Sequence, residues 1–217
     1  MAIYDTEEEQ LDQLKKWWAV NQTSVIAGVV AAIVIITAVN FWQRYQTESR
    51  NQASQTFQQL LETEAKKNPD SVEKIAEKLS AENPSLAYAQ FAALQLAKVK
   101  VEKGDLEGAK TVLENEIKNS GNPEIRHVAR LRLIELLLAT KQYEQGLQLI
   151  AALDPADSQG YSARYDELQG DIFVAMDRLD EARSAYQSAI RSGQATPLTQ
   201  FKLDDITAPV FPEAKTN

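Results

Sequence analysis

The chain has 217 residues, with 31 acidic against 23 basic side chains for a formal net charge of −8, and no cysteine. That length suits one folded domain plus a short additional segment, and the missing thiols exclude both a disulfide framework and a thiolate zinc site. The acidic balance, with basic residues scattered along the chain, argues against nucleic acid as a partner, because a phosphate backbone would be repelled.

Residues 1–22 form an acidic leader (Asp5, Glu7, Glu8, Glu9, Asp12) that ends in Lys15, Lys16, Trp17 and Trp18. From residue 17 to 43 no side chain is charged, and residues 25–36 are all apolar or glycine. As a helix, residues 23–42 would rise roughly 30 Å, the hydrocarbon thickness of a bilayer. Trp17 and Trp18 at one end, and Trp42 and Tyr45 at the other, stand where amphipathic rings mark the two headgroup layers. A cleaved secretory signal fits poorly: its leader would not be long and acidic, its apolar core would be shorter, and Thr37 to Phe41 offer no small-residue cleavage site. Orientation is undecided by charge, since Lys15 and Lys16 on one side balance Arg44 and Arg50 on the other. Gly28 and Ala32 share a helix face and make a small-xxx-small pair, a candidate contact with another membrane helix.

Beyond the anchor, residues 43–206 are rich in Ala, Leu, Gln, Glu and Lys, and are cut into helix-length pieces by turn signals. These are Asn68-Pro69-Asp70, Asn83-Pro84, Lys103-Gly104-Asp105, Gly121-Asn122-Pro123, Asp154-Pro155, Ser192-Gly193 and Thr196-Pro197. No strand-like alternation lies between them, and the short connectors predict antiparallel helical hairpins. The hairpins repeat: Ala109, Gly146 and Ala182 sit in equivalent segments, 37 and 36 positions apart, close to the period of a tetratricopeptide repeat. A small residue is expected there because the second helix of each hairpin crosses the first most closely at that point. Four and seven positions later come Leu113 with Glu116, Ile150 with Leu153, and Tyr186 with Ala189, so only Glu116 breaks the apolar pattern. The last hairpin (Gly170, Phe173, Ala182, Tyr186, Ala189) fits the repeat best; in the first, Lys100 stands where an aromatic is usual. Residues 53–67 and 70–80 are expected to form a further, degenerate hairpin. Residues 207–217, with Pro209 and Pro212, are expected to be a flexible tail. The expected fold is therefore all-α: one N-terminal transmembrane helix followed by a tetratricopeptide-like hairpin array.

Chemistry is sparsely represented. One histidine and no cysteine leave no basis for a nucleophilic dyad or a hydrolytic metal site, and His127 reads as a packed or solvated helix residue. No glycine-rich phosphate loop occurs, and pairs such as Asp204-Asp205 read as solvated charge. The reading is of a protein that binds other proteins, with no enzymatic activity, cofactor, metal or small-molecule substrate.

The order of acidic leader, Leu14-Lys15-Lys16-Trp17-Trp18, span and degenerate hairpins resembles the bacterial YfgM family, the ancillary subunit of the SecYEG translocon. More specific likenesses are Asp166-Glu167-Leu168-Gln169-Gly170-Asp171 leading into Asp180-Glu181-Ala182-Arg183-Ser184-Ala185-Tyr186, and the ending from Thr196-Pro197-Leu198 to Phe201-Lys202-Leu203-Asp204-Asp205-Ile206. The resemblance implies a short cytoplasmic tail over residues 1–22, a single inner-membrane helix over 23–42 and a periplasmic repeat domain. It also implies association with SecYEG and with a membrane-anchored periplasmic chaperone of the peptidyl-prolyl isomerase type, assisting proteins that emerge into the periplasm. The competing reading is a membrane-tethered adaptor whose repeats face the cytoplasm and scaffold an unrelated complex.

In such arrays the first helix of each hairpin lines the binding surface. The register makes Phe91, Leu94, Lys98 and Val101, then Val128, Leu131, Glu135 and Leu138, then Arg164, Glu167, Asp171 and Val174 the candidate partner face. The alternative is that Leu94, Val128 and Leu131 are core residues.

Overall fold

A computed structural model describes residues 7–207. Residues 1–6 of the leader, and residues 208–217 of the C-terminal tail with Pro209 and Pro212, lie outside the described residues. The helices are α1 (Glu7–Ala65), α2 (Pro69–Glu82), α3 (Ala87–Glu102), α4 (Leu106–Asn119), α5 (Pro123–Ala139), α6 (Tyr143–Ala151), α7 (Ser162–Ala175), α8 (Leu179–Arg191) and α9 (Pro197–Ile206). A single 3-10 turn, Gln159–Tyr161, precedes α7, and no strand occurs among the described residues.

The chain divides between Gln52 and Ala53 into two units. Within the first, α1 carries a segment long and apolar enough to cross a membrane, and none of that segment is buried by the protein itself. Ile33, Phe41 and Trp42 are exposed along it, as a lipid-facing surface requires. Thr37 donates to the carbonyl of Ile33 at 2.9 Å, so the one hydroxyl deep in the apolar stretch satisfies itself within the helix.

The second unit is a series of hairpins: the end of α1 with α2, α3 with α4, α5 with α6, and α7 with α8, closed by α9 against α8. Turn chemistry explains where three of these helices start. Asn68, Asp105 and Asn122 cap α2, α4 and α5 by accepting from Ser71, Gly108 and Glu124 backbone N–H groups at 3.2, 2.9 and 2.9 Å, with Pro69 and Pro123 in the first turn. The hairpin turns share one device. Lys67, Gly104, Lys141 and Asp177 all have φ between +54° and +83°, and the next N–H reaches back to the carbonyl five residues earlier: Asp105 to Lys100, Gln142 to Leu137 and Arg178 to Phe173, each at 2.8 Å. Only Gly104 adopts that conformation without steric cost.

Three apolar clusters run through the unit. Ala53 and Leu60 of α1 meet Val72, Ala76 and Leu79 of α2 and Ala92, Leu96 and Val99 of α3, so the degenerate hairpin is built into the array. Leu94 and Ala97 join Ala109, Leu113, Ala129, Leu133 and Leu137 across α3, α4 and α5. Ile134, Tyr165, Leu168 and Ile172 pack α5 on α7. The small residues sit at tightly packed points, although at Gly146 the close neighbour belongs to α7 of the next hairpin and not, as expected, to α5 of its own. Ala109 and Ala182 are completely buried, and a Cβ on Gly146 would lie 2.9 Å from Ile172 Cδ1. Gly170 admits the Tyr186 ring so closely that a Cβ there would collide with it.

Candidate functional site

Helices α3, α5 and α7, the first members of their hairpins, neighbour one another. A regular set of basic side chains crosses from each first helix to the one before. Lys98 of α3 pairs with Glu64 of α1 at 2.6 Å, and Arg132 of α5 donates to the Leu94 carbonyl of α3 at 2.8 Å. Arg164 of α7 pairs with Glu135 of α5 at 2.6 Å, and Lys202 of α9 holds both Glu167 and Asp171 of α7 at 2.7 Å. The hydrogen bond from Lys98 to Glu64 raises the lysine's pKa. Burial works to raise the Glu167 carboxyl, but Lys202 and Arg164 outweigh it and hold the group below the ordinary carboxylate range.

The twelve residues singled out from the sequence divide on this frame. Phe91, Lys98 and Val101 are exposed, with the Phe91 ring 6.2 Å from Phe57. Leu94 is buried in the cluster of α3, α4 and α5. Val128, Leu131 and Leu138 are half-buried against the neighbouring clusters, while Glu135 is exposed. Arg164 and Val174 are exposed, and Asp171 is half-buried, accepting from Tyr186 Oη at 2.8 Å. Glu167 is only 2 % exposed and lies between Arg164 and Lys202. On α1, a Cβ at Gly28 would meet nothing within 4 Å, and Ala32 is exposed.

Between α3 and α5 lies a groove of about 480 Å³, with an apolar floor of Ala97, Val101, Leu136 and Ala139 and charged edges from Lys98, Glu102, Arg132 and Glu135. Sequence reasoning passed over Glu102, Arg132 and Ala139. The only available signal was their helical spacing from Lys98, Glu135 and Leu138, which reaches them one position off the assumed register.

Two polar side chains away from this face are held within the packing of the array. Lys100, in the place of the usual aromatic, is 15 % exposed and bonds Glu73 at 3.0 Å and Asp105 at 3.2 Å, tying α2, α3 and the α4 cap together. His127 is 2 % exposed, stacked on Tyr161 with ring centres 4.6 Å apart and sharing a hydrogen bond of 2.9 Å with Tyr165 Oη. Burial holds its pKa below the ordinary value. Among the described residues no group of three or more His, Asp or Glu is placed to hold a metal ion.

The family model for a tetratricopeptide repeat-like domain matches residues 15–208. The chain is similar to a protein of Escherichia coli K12 named ancillary SecYEG translocon subunit, 27 % identical over 95 % of this chain and the whole of the relative. A Haemophilus influenzae protein of the same name is 28 % identical, again over 95 % of this chain and all of the relative. Among solved structures, MamA residues 41 to the end from Desulfovibrio magneticus RS-1 superposes with a TM-score of 0.54 at 18 % identity, covering 73 % of this chain and 84 % of that one.

Proposed function

This chain belongs to the tetratricopeptide repeat-like domain family, and on that premise we propose that it is a single-pass inner-membrane protein that associates with the SecYEG translocon through protein–protein contacts. The observation that carries the reading is coverage: the likeness to relatives named ancillary SecYEG translocon subunit extends over 95 % of this chain and the whole of each relative. The repeat domain faces the periplasm, with residues 1–22 as a cytoplasmic tail, and hands emerging proteins toward a membrane-anchored chaperone of the peptidyl-prolyl isomerase type. Its role is binding and not catalysis.

The partner face on this reading is the one formed by the first helices. Exposed Phe91 and Val101, the half-buried Val128, Leu131 and Leu138, and Val174 supply apolar contact, and Lys98, Glu135, Arg164 and Asp171 supply charge. The groove beside Val101 and Ala139 gives that face a concave, apolar seat for a partner side chain. Gly28 and Ala32 offer the membrane helix a close approach to another span.

Crosslinking in intact membranes, followed by purification of the tagged full chain, tests the association: recovery of SecY, SecE or SecG supports it, and their absence while the chain itself is recovered refutes it. A reporter fused after Asn217 tests the side. Activity in the periplasm fits the proposal, whereas activity confined to the cytoplasm makes the chain a cytoplasm-facing adaptor.

A further inference from the structure

His127 is the chain's only histidine, and it stands where the array is least continuous. Residues 152–161, between α6 and α7, form the longest connector among the described helices. Internal hydrogen bonds close its turns: Ala156 N–H donates to Asp154 Oδ1 at 2.9 Å, and Ser158 N–H and Oγ donate to the Asp154 carbonyl at 3.0 and 2.9 Å. The imidazole ties this connector to α5. Its ring stacks on Tyr161, its Nε2 lies 3.8 Å from Asp157 Oδ2, and its Nδ1 shares the 2.9 Å hydrogen bond with Tyr165 Oη near the start of α7. These surroundings suit a neutral ring and not a charged one. The titratable and charged groups that face it are Arg126 and Arg130 from α5, Asp157 and Tyr161 from the connector, and Tyr165 from α7. Two guanidinium groups thus stand against one carboxylate, and that carboxylate is 54 % exposed, so water weakens its pull. Arg130 also reaches the Tyr165 hydroxyl. An arginine can only donate, so Tyr165 Oη accepts from it and turns its own proton to His127 Nδ1. A proton added at Nδ1 would leave the phenol's hydrogen without an acceptor. Burial acts in the same direction, disfavouring the charged imidazole.

We propose that His127 is an acid-sensitive pin: in mildly acidic surroundings its protonation releases residues 152–161 and the first turn of α7 from α5, loosening the α5–α7 seam while α2 to α4 stay folded. The clasp from Arg164 to Glu135 crosses the same seam, so its loosening reshapes the face of the first helices there. A released imidazole takes its proton at the ordinary value of about 6.5 and the packed one only at lower pH, so the seam is held fully above that value and gives way as pH falls below it. The pin follows from the packing alone and stands whether or not the translocon is the partner.

With one histidine in the chain, a single imidazole signal reports the titration. The full chain, labelled with ¹³C-histidine in uncharged detergent, is followed by NMR from about pH 8 to 5, and hydrogen exchange is read by mass spectrometry on the same samples. The midpoint should lie below 6.5. After correction for the intrinsic pH dependence of exchange, amides of residues 152–166 should lose at least fivefold protection across the transition, while those of α2 to α4 change less than twofold. Asp157→Asn, at an exposed position, should move the midpoint lower still. His127→Phe keeps a ring against Tyr161 but takes no proton, and should abolish the acid-dependent loss. The wild-type titration and Asp157→Asn decide the matter even where His127→Phe folds poorly. A midpoint at or above 6.5, protection that survives the transition, or a loss spread evenly over α2 to α8 overturns the proposal. So does the same loss in a folded His127→Phe chain, or an Asp157→Asn midpoint that does not fall.

Discussion

Replacing Lys202 by Met tests whether α9 is latched to the array by charge. Lys202 donates to Glu167 Oε1 and Asp171 Oδ2, both at 2.7 Å, and their side chains are 3 % and 19 % exposed. Hydrogen bonds to charged groups contribute about 1.5–3 kcal/mol each, and removing one partner of a buried pair is costlier still. Two features reduce the sum: Arg164 keeps hold of the other Glu167 oxygen at 3.0 Å, and the Lys202 side chain is 26 % exposed, so solvent screens part of the interaction. A net loss of about 2 kcal/mol results, which for a domain of this size lowers Tm by roughly 4–8 °C. Circular dichroism melts of the full chain in detergent measure it, with Lys202→Arg as the variant that keeps the charge and recovers most of the loss. The pH dependence is a second check. The folded Glu167 pKa is depressed, so its stabilisation is fully present above the ordinary carboxylate range and is lost as pH falls through the lower folded value. The gap between wild type and Lys202→Met must therefore be widest near neutrality and narrow in acid. A variant that melts with the wild type at pH 7, or a gap that persists unchanged in acid, refutes the latch.

Ala182→Leu adds volume at a completely buried helix crossing and should destabilise the last hairpin by about 1–3 kcal/mol, read from the same melts. Lys141→Gly relieves a side chain held at φ 61° in a tight turn and should raise stability by roughly 0.5–1 kcal/mol, with no change in helix content. Deleting residues 1–43 should leave a soluble domain with a sharp thermal transition, because the first apolar cluster begins at Ala53; a deletion running past Leu60 should broaden or abolish it. Replacing Leu131 and Leu138 by Ser separates contact surface from core: loss of partner recovery with unchanged melting assigns them to the face, and a loss of several kcal/mol assigns them to packing.

The hairpin array is legible in the sequence because its signals are local. A helix stop and restart takes a few residues, as at Asn122-Pro123, and a close crossing demands a small residue wherever it recurs, as at Ala109 and Ala182. The orientation of the first helices is much less legible. Helix α3 buries Ala92, Leu96 and Val99 toward α2 and Leu94 and Ala97 toward α4 and α5, so it is apolar over most of its circumference and its periodicity names no single outward side. Leu94 and Phe91, three positions apart, thus fall on opposite sides of the boundary between core and surface. Glu167 eludes sequence reading for another reason. An acidic residue is solvated by default, and the cations that pay for its burial include Lys202, on a helix 35 residues further along the chain.

The clasps between first helices also bear on how a partner could dock. Each seam commits one basic side chain to the preceding helix, and at three of the four seams the acceptor is a carboxylate: Glu64, Glu135, or Glu167 with Asp171. At the seam between α3 and α5 the acceptor is the backbone carbonyl of Leu94, so among the described residues Arg132 closes no ion pair. That seam is also where the apolar groove opens beside Val101 and Ala139. On the proposed partner face a charged contact elsewhere must compete with an existing ion pair, whereas here, although Lys98 and Glu135 are already paired, a partner would meet an apolar seat and a guanidinium with donors to spare. Binding energy on this face is therefore expected to concentrate at the α3–α5 seam and to fall away toward α7, where Lys202 already occupies Glu167 and Asp171.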